Sequence, residues 1–166
     1  AEVYSFSTFF TAIVVWLILL WSVKANRQGN ERYILLISYM IGLATGLHLL
    51  NLLTIPFVAL IIYFRKFKFD ALSFTITVAI TGVVFFIIHN VIIKGMPKIA
   101  AAIGVPLTGF LIVAIFAAMI WAVMNKNKLF SLLLTSMVLV LIGYSTYALI
   151  FIRSNQDPGI DENDPE

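Results

Sequence analysis

The chain has 166 residues, 61% apolar and 11% charged, with no cysteine, a net charge of +3, a pI near 9.3 and a mean hydropathy of +1.03. A soluble domain is about 45–50% apolar and about 25% charged, so this chain reads as an all-α integral membrane protein. Crossings of about 20 residues each leave room for roughly six helices and no separate soluble domain, which excludes a Rossmann fold, a TIM barrel and a DNA-reading module. The basic residues fall in short clusters between apolar runs, a topology signal rather than a nucleic-acid footprint, so no nucleic-acid partner is expected. The lack of cysteine excludes disulfides, thiolate metal sites and thiol catalysis. An apolar run begins almost at Ala1, without an initiator Met, and the chain stops at Glu166 in a polar phrase. It reads as a segment of a longer polypeptide.

In chain order, the first crossing is expected at residues 5–23, closed by a polar stretch holding Lys24, Arg27, Glu31 and Arg32. An uncharged run of 32 residues follows, from Tyr33 to Phe64, ended by Arg65, Lys66, Lys68 and Asp70. Residues 71–93 form a clean span, followed by a Pro- and Gly-containing connection over 94–107. Residues 108–124 and 129–152 are the remaining spans, separated by Asn125, Lys126, Asn127 and Lys128.

The long run needs a decision, because a single helix of that length would measure about 48 Å against a hydrocarbon core of about 30 Å. Loop charge decides. Two crossings, at 33–50 and 52–64, put the loops at 24–32, 65–68 and 125–128 on one side with eight Lys or Arg, leaving Lys94, Lys98 and Arg153 opposite. One crossing would give six against five, which is no bias. The positive-inside rule therefore selects six crossings, the second and third a short hairpin, with basic loops inside and the amino terminus and tail outside.

The turn of that hairpin holds His48, Asn51, Thr54 and Pro56. Irregular backbone at membrane depth survives only where protein or a water-filled cavity covers it, so the turn marks a candidate cavity. The alternative is that His48 and Asn51 merely hydrogen-bond neighbouring helices. Glu2, Tyr4, His89, Asn90, Tyr144, Tyr147 and Arg153 fall at the same outer ends. His48 and His89 could in principle ligate a haem, which gives one rival reading, a b-type haem carrier. Gly42 and Gly46 form a GxxxG phrase that lets two helix backbones approach. Arg153 could hold a lipid phosphate bidentately or act only as an interfacial anchor. The tail beyond it carries five carboxylates without the spacing of a calcium loop and reads as a solvated linker.

Three phrases together resemble a known family: Ala1 to Ser5 opening a helix, Ile41 to Leu53 in the short pair, and Ile142 to Tyr147 leading into Ile152-Arg153 and Ile160 to Pro165. They resemble glycosyltransferase family 117, large bacterial polytopic proteins whose eukaryotic relatives are protein O-mannosyltransferases. The resemblance implies a glycosyltransferase of the C-type superfold that moves a sugar from a polyprenyl-phosphate carrier to a protein or glycan acceptor, on the extracytoplasmic side of the bacterial inner membrane. Residues 1–152 would then be the membrane segment of a larger domain, and 153–166 an extracytoplasmic linker. The family's acidic motif in its first outer loop would lie upstream of Ala1, so this segment alone would be inactive, and a divalent metal ion is one option in the intact enzyme. The 94–107 connection is shorter than that family's.

Such a transfer needs a base for the acceptor hydroxyl and positive charge, or a metal, at the leaving phosphate. Glu2 is the candidate catalytic group, orienting acceptor or metal. His48, Asn51, Tyr144 and Arg153 are candidate contacts to sugar and carrier phosphate. A non-enzymatic membrane scaffold or assembly subunit is the other rival.

Overall fold

The computed structural model describes residues 2–125 and 127–147. Among them there are seven α-helices: α1 (Glu2–Lys24), α2 (Glu31–Leu47), α3 (Thr54–Lys66), α4 (Ala71–Ile87), α5 (Gly95–Ile103), α6 (Val105–Met124) and α7 (Lys128–Ser145). A 3-10 turn (Leu49–Leu53) leads into α3, and a π turn (Ile88–Ile93) extends α4. No strand occurs among the described residues. The all-α membrane class read from composition is the class observed.

Local chemistry explains the boundaries. α1 contains neither Pro nor Gly, ends on Lys24, and is followed by a turn in which Gly29 takes φ +76°, a backbone conformation that side-chain-bearing residues rarely adopt. Pro56 lies in the first turn of α3, where a missing amide costs little. Asp70 caps α4 by accepting from the Ser73 amide at 2.9 Å, and Asn127 caps α7 by accepting from the Phe130 amide at 3.2 Å.

Pairwise contacts fix the directions of the helices. Lys24 of α1 donates to the Tyr33 hydroxyl near the start of α2 at 2.9 Å, whereas Tyr4 at the other end of α1 lies 5.5 Å, ring to ring, from His48 just beyond α2. α2 therefore runs antiparallel to α1 along its whole length. At the near end of α3, Asn51 accepts from Ser7 and Thr11, and at its far end Arg65 donates to the Ser22 carbonyl. α3 thus runs parallel to α1 and antiparallel to α2. The 32-residue uncharged run is two passes, as loop charge indicates, although the passes flank α1 and make little contact with each other.

Five stretches among the described residues are long and apolar enough to cross a membrane: Tyr4–Lys24, Leu49–Lys66, Ala71–Ile93, Pro106–Met124 and Lys128–Ser145. α2, at 17 residues, is about 25 Å long. It runs from the level of Lys24 to that of Tyr4, alongside α1.

Several expected boundaries shift: the span read as 5–23 is Glu2–Lys24, that read as 52–64 is Thr54–Lys66, and that read as 108–124 is Val105–Met124. The second helix, read as 33–50, is Glu31–Leu47, because His48 adopts extended backbone (φ −153°, ψ 123°) and closes it early. The connection expected over 94–107 is mostly helical. Pro97 falls in the first turn of α5, and the break is confined to Gly104, at φ +83°. The last helix, read as 129–152, is described only as Lys128–Ser145, and 148–166, with Arg153 and the acidic tail, lie outside the described residues.

The core sits between α1, α2 and α3. Val14, Leu17, Ile18 and Trp21 of α1 meet Ile37 and Ile41 of α2 and Leu52, Ile55 and Val58 of the following segment, and Phe85, Ile88 and Ile93 pack on the same cluster. The buried Tyr63 ties α3 to α4, its hydroxyl 2.7 Å from that of Ser73 and 3.1 Å from both the amide and the carbonyl of Asp70. α7 joins through glycine. A methyl group at Gly143 would stand 2.6 Å from the Tyr39 carbonyl and 2.7 Å from the Leu43 amide nitrogen, and Gly42 meets Val140 and Gly143 in the same crossing. Gly46 lies beside Tyr144 and Tyr147, so α7 runs parallel to α2. The GxxxG phrase packs as expected, with α7 as its partner. By contrast, no residue of α4 is fully buried, and Leu72, Ile80 and Phe86 are exposed apolar surface of the kind a lipid environment accommodates.

These directions collect the loops at 25–30 and 67–70 and the start of α7 at one end, and the His48 turn and the α4–α5 connection at the other. Single cysteines at Gln28, Phe67 and Asn127 should react with an impermeant maleimide from one side of the membrane and a cysteine at Lys98 from the opposite side. Labelling of Phe67 together with Lys98 would overturn this arrangement. Gly143→Ala should lower stability by about 1–3 kcal/mol in a denaturant titration in micelles. Gly82→Ala, where a methyl meets nothing within 4 Å, should be neutral or stabilising by up to about 1 kcal/mol.

Candidate functional site

The end of the bundle opposite the basic loops holds a cluster of polar side chains beneath exposed leucines, and its geometry begins with one asparagine. Asn51 is 3% exposed. Its Oδ1 accepts from the Ser7 and Thr11 hydroxyls, both at 3.0 Å, and its Nδ2 donates to the Ala44 carbonyl at 2.7 Å. The Thr54 hydroxyl donates to the Asn51 carbonyl at 2.7 Å, and the Asn51 backbone amide donates to the His48 carbonyl at 3.0 Å. One residue thus links α1, the end of α2 and the start of α3. The arrangement meets the requirement that backbone groups exposed by an irregular turn find partners inside a membrane protein. Asn51 shapes the site and has little capacity left for a ligand.

His48 is displayed by this clasp. It is half-buried, its ring tilted against Tyr4, and its Nδ1 accepts from the Leu50 amide at 3.2 Å. A backbone amide can only donate, so in the neutral ring the proton resides on Nε2. While the Leu50 bond stands, His48 offers a ligand an N–H donor and no basic lone pair. This suits contact with a phosphate or a sugar oxygen, and it is the wrong polarity for deprotonating a hydroxyl.

The structure brings Tyr144 to the same end. It stacks on Tyr147 at 5.9 Å, and Tyr147 lies against Gly46, two residues before His48. Tyr144 is therefore at the same end of the bundle as Gly46, His48 and Asn51. The backbone of Glu2 starts α1 at this end, while its side chain is outside what is described, and Arg153 lies outside the described residues. His89 is on the π turn, stacked on Phe85 at 6.1 Å, with a buried Nδ1 that has no partner among the described residues. Asn90 donates back to the Phe86 carbonyl at 3.2 Å. Among the described residues no group of three or more His, Asp or Glu is placed to hold a metal ion.

Ser7 and Thr11, which complete the clasp, are missed by motif reading. Their signal is periodic. Tyr4, Ser7, Thr11, Val14, Ile18, Trp21 and Ala25 repeat at alternating intervals of three and four, one face of a helix, and from Val14 onward that face is buried.

Residues 1–71 match the family model of the N-terminal domain of the protein O-mannosyl-transferase TMEM260. The match covers α1, α2, α3 and the clasp, and ends on the first residue of α4. The relationship it supports is O-mannosyltransferase-like and does not single out glycosyltransferase family 117. Comparisons with curated proteins and with solved structures return no match.

Asn51→Ala should destabilise the protein by about 1–2 kcal/mol, the upper range for hydrogen bonds within a membrane bundle. Ser7→Ala and Thr11→Ala should each cost less, and a double-mutant cycle of Thr11→Ala with Asn51→Ala should show positive coupling in denaturant titrations. Strict additivity would mean that the clasp is not a unit.

Proposed function

We propose that this chain is membrane machinery of a glycosyltransferase of the C-type superfold, related to family 117 and the protein O-mannosyltransferases. It transfers a sugar from a polyprenyl-phosphate carrier to a protein or glycan hydroxyl on the extracytoplasmic face of a bacterial inner membrane. The observation that carries the reading is the overlap of two independent features: the segment similar to an O-mannosyl-transferase domain is the segment that builds the polar clasp, and the clasp stands at the end opposite the basic loops. The positive-inside rule assigns that end to the outside.

In this reading the acceptor oxygen forms a bond to the anomeric carbon as the bond from that carbon to the carrier phosphate breaks. The acceptor proton passes to a carboxylate, Glu2 or an acid elsewhere in the intact enzyme, and the departing lipid phosphate takes the electron pair. His48 serves through its Nε2–H, donating to a phosphate or sugar oxygen. Arg153 supplies positive charge to the carrier phosphate. Tyr144 lines the same end, and Asn51 positions the turn that carries His48. A divalent ion, if the intact enzyme uses one, would supply further charge neutralisation at the phosphate.

The test is a transfer assay on membranes containing the intact enzyme, with variants matched for abundance. Arg153→Ala should lower transfer efficiency roughly 10- to 150-fold, the worth of a charge-assisted hydrogen bond, and Arg153→Lys should restore only part of it. His48→Ala should reduce turnover more than abundance, while Ser131→Ala near the start of α7 should change little. Parental rates in both the His48 and Arg153 variants would remove the site from this end of the bundle.

A further inference from the structure

The end of the bundle away from the clasp has its own chemistry. The segments 24–32 and 65–70 carry Lys24, Arg27, Arg32, Arg65, Lys66 and Lys68 against only Glu31 and Asp70. The fold gathers them around the end of α1. Arg65 donates through Nε to the Ser22 carbonyl at 2.6 Å, and the Lys66 ammonium lies 5.8 Å from the centre of the Trp21 ring. On the other flank Lys24 donates to the Tyr33 hydroxyl at 2.9 Å, and the Arg32 guanidinium lies 5.2 Å from the centre of that ring. No ion pair joins any of these cations to Glu31 or Asp70 among the described residues, and Asp70 accepts from the Ser73 amide instead.

We propose that this face is a binding surface for the phosphate headgroups of anionic phospholipids. The cations are held in place by bonds that leave their charge unneutralised. With Nε engaged, the Arg65 guanidinium keeps its two terminal amino groups for paired contact with phosphate oxygens. Lys66 and Lys24 stand on aromatic rings of the kind that gather at the headgroup level of a bilayer. The same end exposes Val23, Phe64, Phe67 and Phe69, each more than half accessible. Apolar side chains interleaved with cations match acyl chains below headgroups, and would be poorly served by a nucleic acid or an acidic protein in water.

The experiment is native mass spectrometry of the protein released from detergent micelles containing equimolar phosphatidylglycerol and phosphatidylcholine with identical acyl chains. The parent protein should retain phosphatidylglycerol preferentially. The preference should fall roughly fivefold per charge removed in Arg65→Gln with Lys66→Gln, and in Lys24→Gln with Arg32→Gln. It should fall less in Arg65→Lys, which keeps the charge and loses the planar fork, and persist in Lys94→Gln with Lys98→Gln at the opposite end. Equal retention of the two lipids by the parent protein would overturn the proposal, as would a preference that survives both basic-end pairs or is lost equally in the Lys94 and Lys98 pair. Should the Arg65 and Lys66 pair fail to fold, the Lys24 and Arg32 pair decides.

Discussion

The satisfaction of Asn51 is the constraint on which the rest of the arrangement depends. A chain that reverses direction within a membrane bundle frees carbonyls at the end of one helix and amides at the start of the next, and each buried group left unpaired costs on the order of 1–3 kcal/mol. Here the Ala44 carbonyl receives both the His48 amide and the Asn51 side chain, and the Asn51 carbonyl receives Thr54. The remaining acceptor of Asn51 is filled by α1. The turn is therefore closed only when α1 lies beside it, which couples the path of the chain to the packing of the first three helices. His48 inherits a fixed tautomer from the same turn, because the Leu50 amide must find an acceptor.

Much of this architecture was legible in the sequence, for reasons that can be named. The membrane class follows from composition, and the double pass of the uncharged run follows from loop charge, since only that path gathers Lys24, Arg32, Arg65 and Lys66 at one end. The glycine phrase at Gly42 and Gly46 announced a close crossing, but its partner, α7, depends on long-range packing that no local pattern encodes. The helix within the 94–107 connection gives no clear signal in the sequence, since its proline falls in a first turn, where it breaks nothing. The early end of α2 was missed because the extended backbone at His48 is imposed by the bonds of the turn rather than by residue preference.

The candidate site was legible in part. His48, Asn51 and Tyr144 were singled out by type and depth, and the fold places all three at the same end of the bundle. Their roles differ from what residue type suggests. Asparagine and histidine three apart read as a pair of ligand contacts, yet burial commits Asn51 to structure, while the Leu50 amide leaves His48 a donor. Ser7 and Thr11 carry no motif and emerge only as the polar continuation of the buried stripe on α1. That stripe grades from hydroxyls at the clasp to Val14, Ile18 and Trp21 in the core, so one helical face sets both the packing of the bundle and the polarity of its end.

The two ends of the bundle are consequently specialised by different physics. At the clasp, polar groups are buried and paired with one another, which gives a fixed geometry suited to orienting a ligand. At the basic end, charges are exposed and held by aromatic rings and a backbone carbonyl, which suits delocalised attraction to a surface. Exposed charges could not position a substrate with the same definition, because solvent screens them and their long side chains retain freedom. The clasp in turn could not anchor the protein by its net charge, since its described members, Ser7, Thr11, Asn51 and Thr54, are neutral. In the proposed reading, alignment of the basic end with lipid headgroups would set the depth of α1 and α3, and because Asn51 ties the other ends of these two segments together, it would also set the depth of His48.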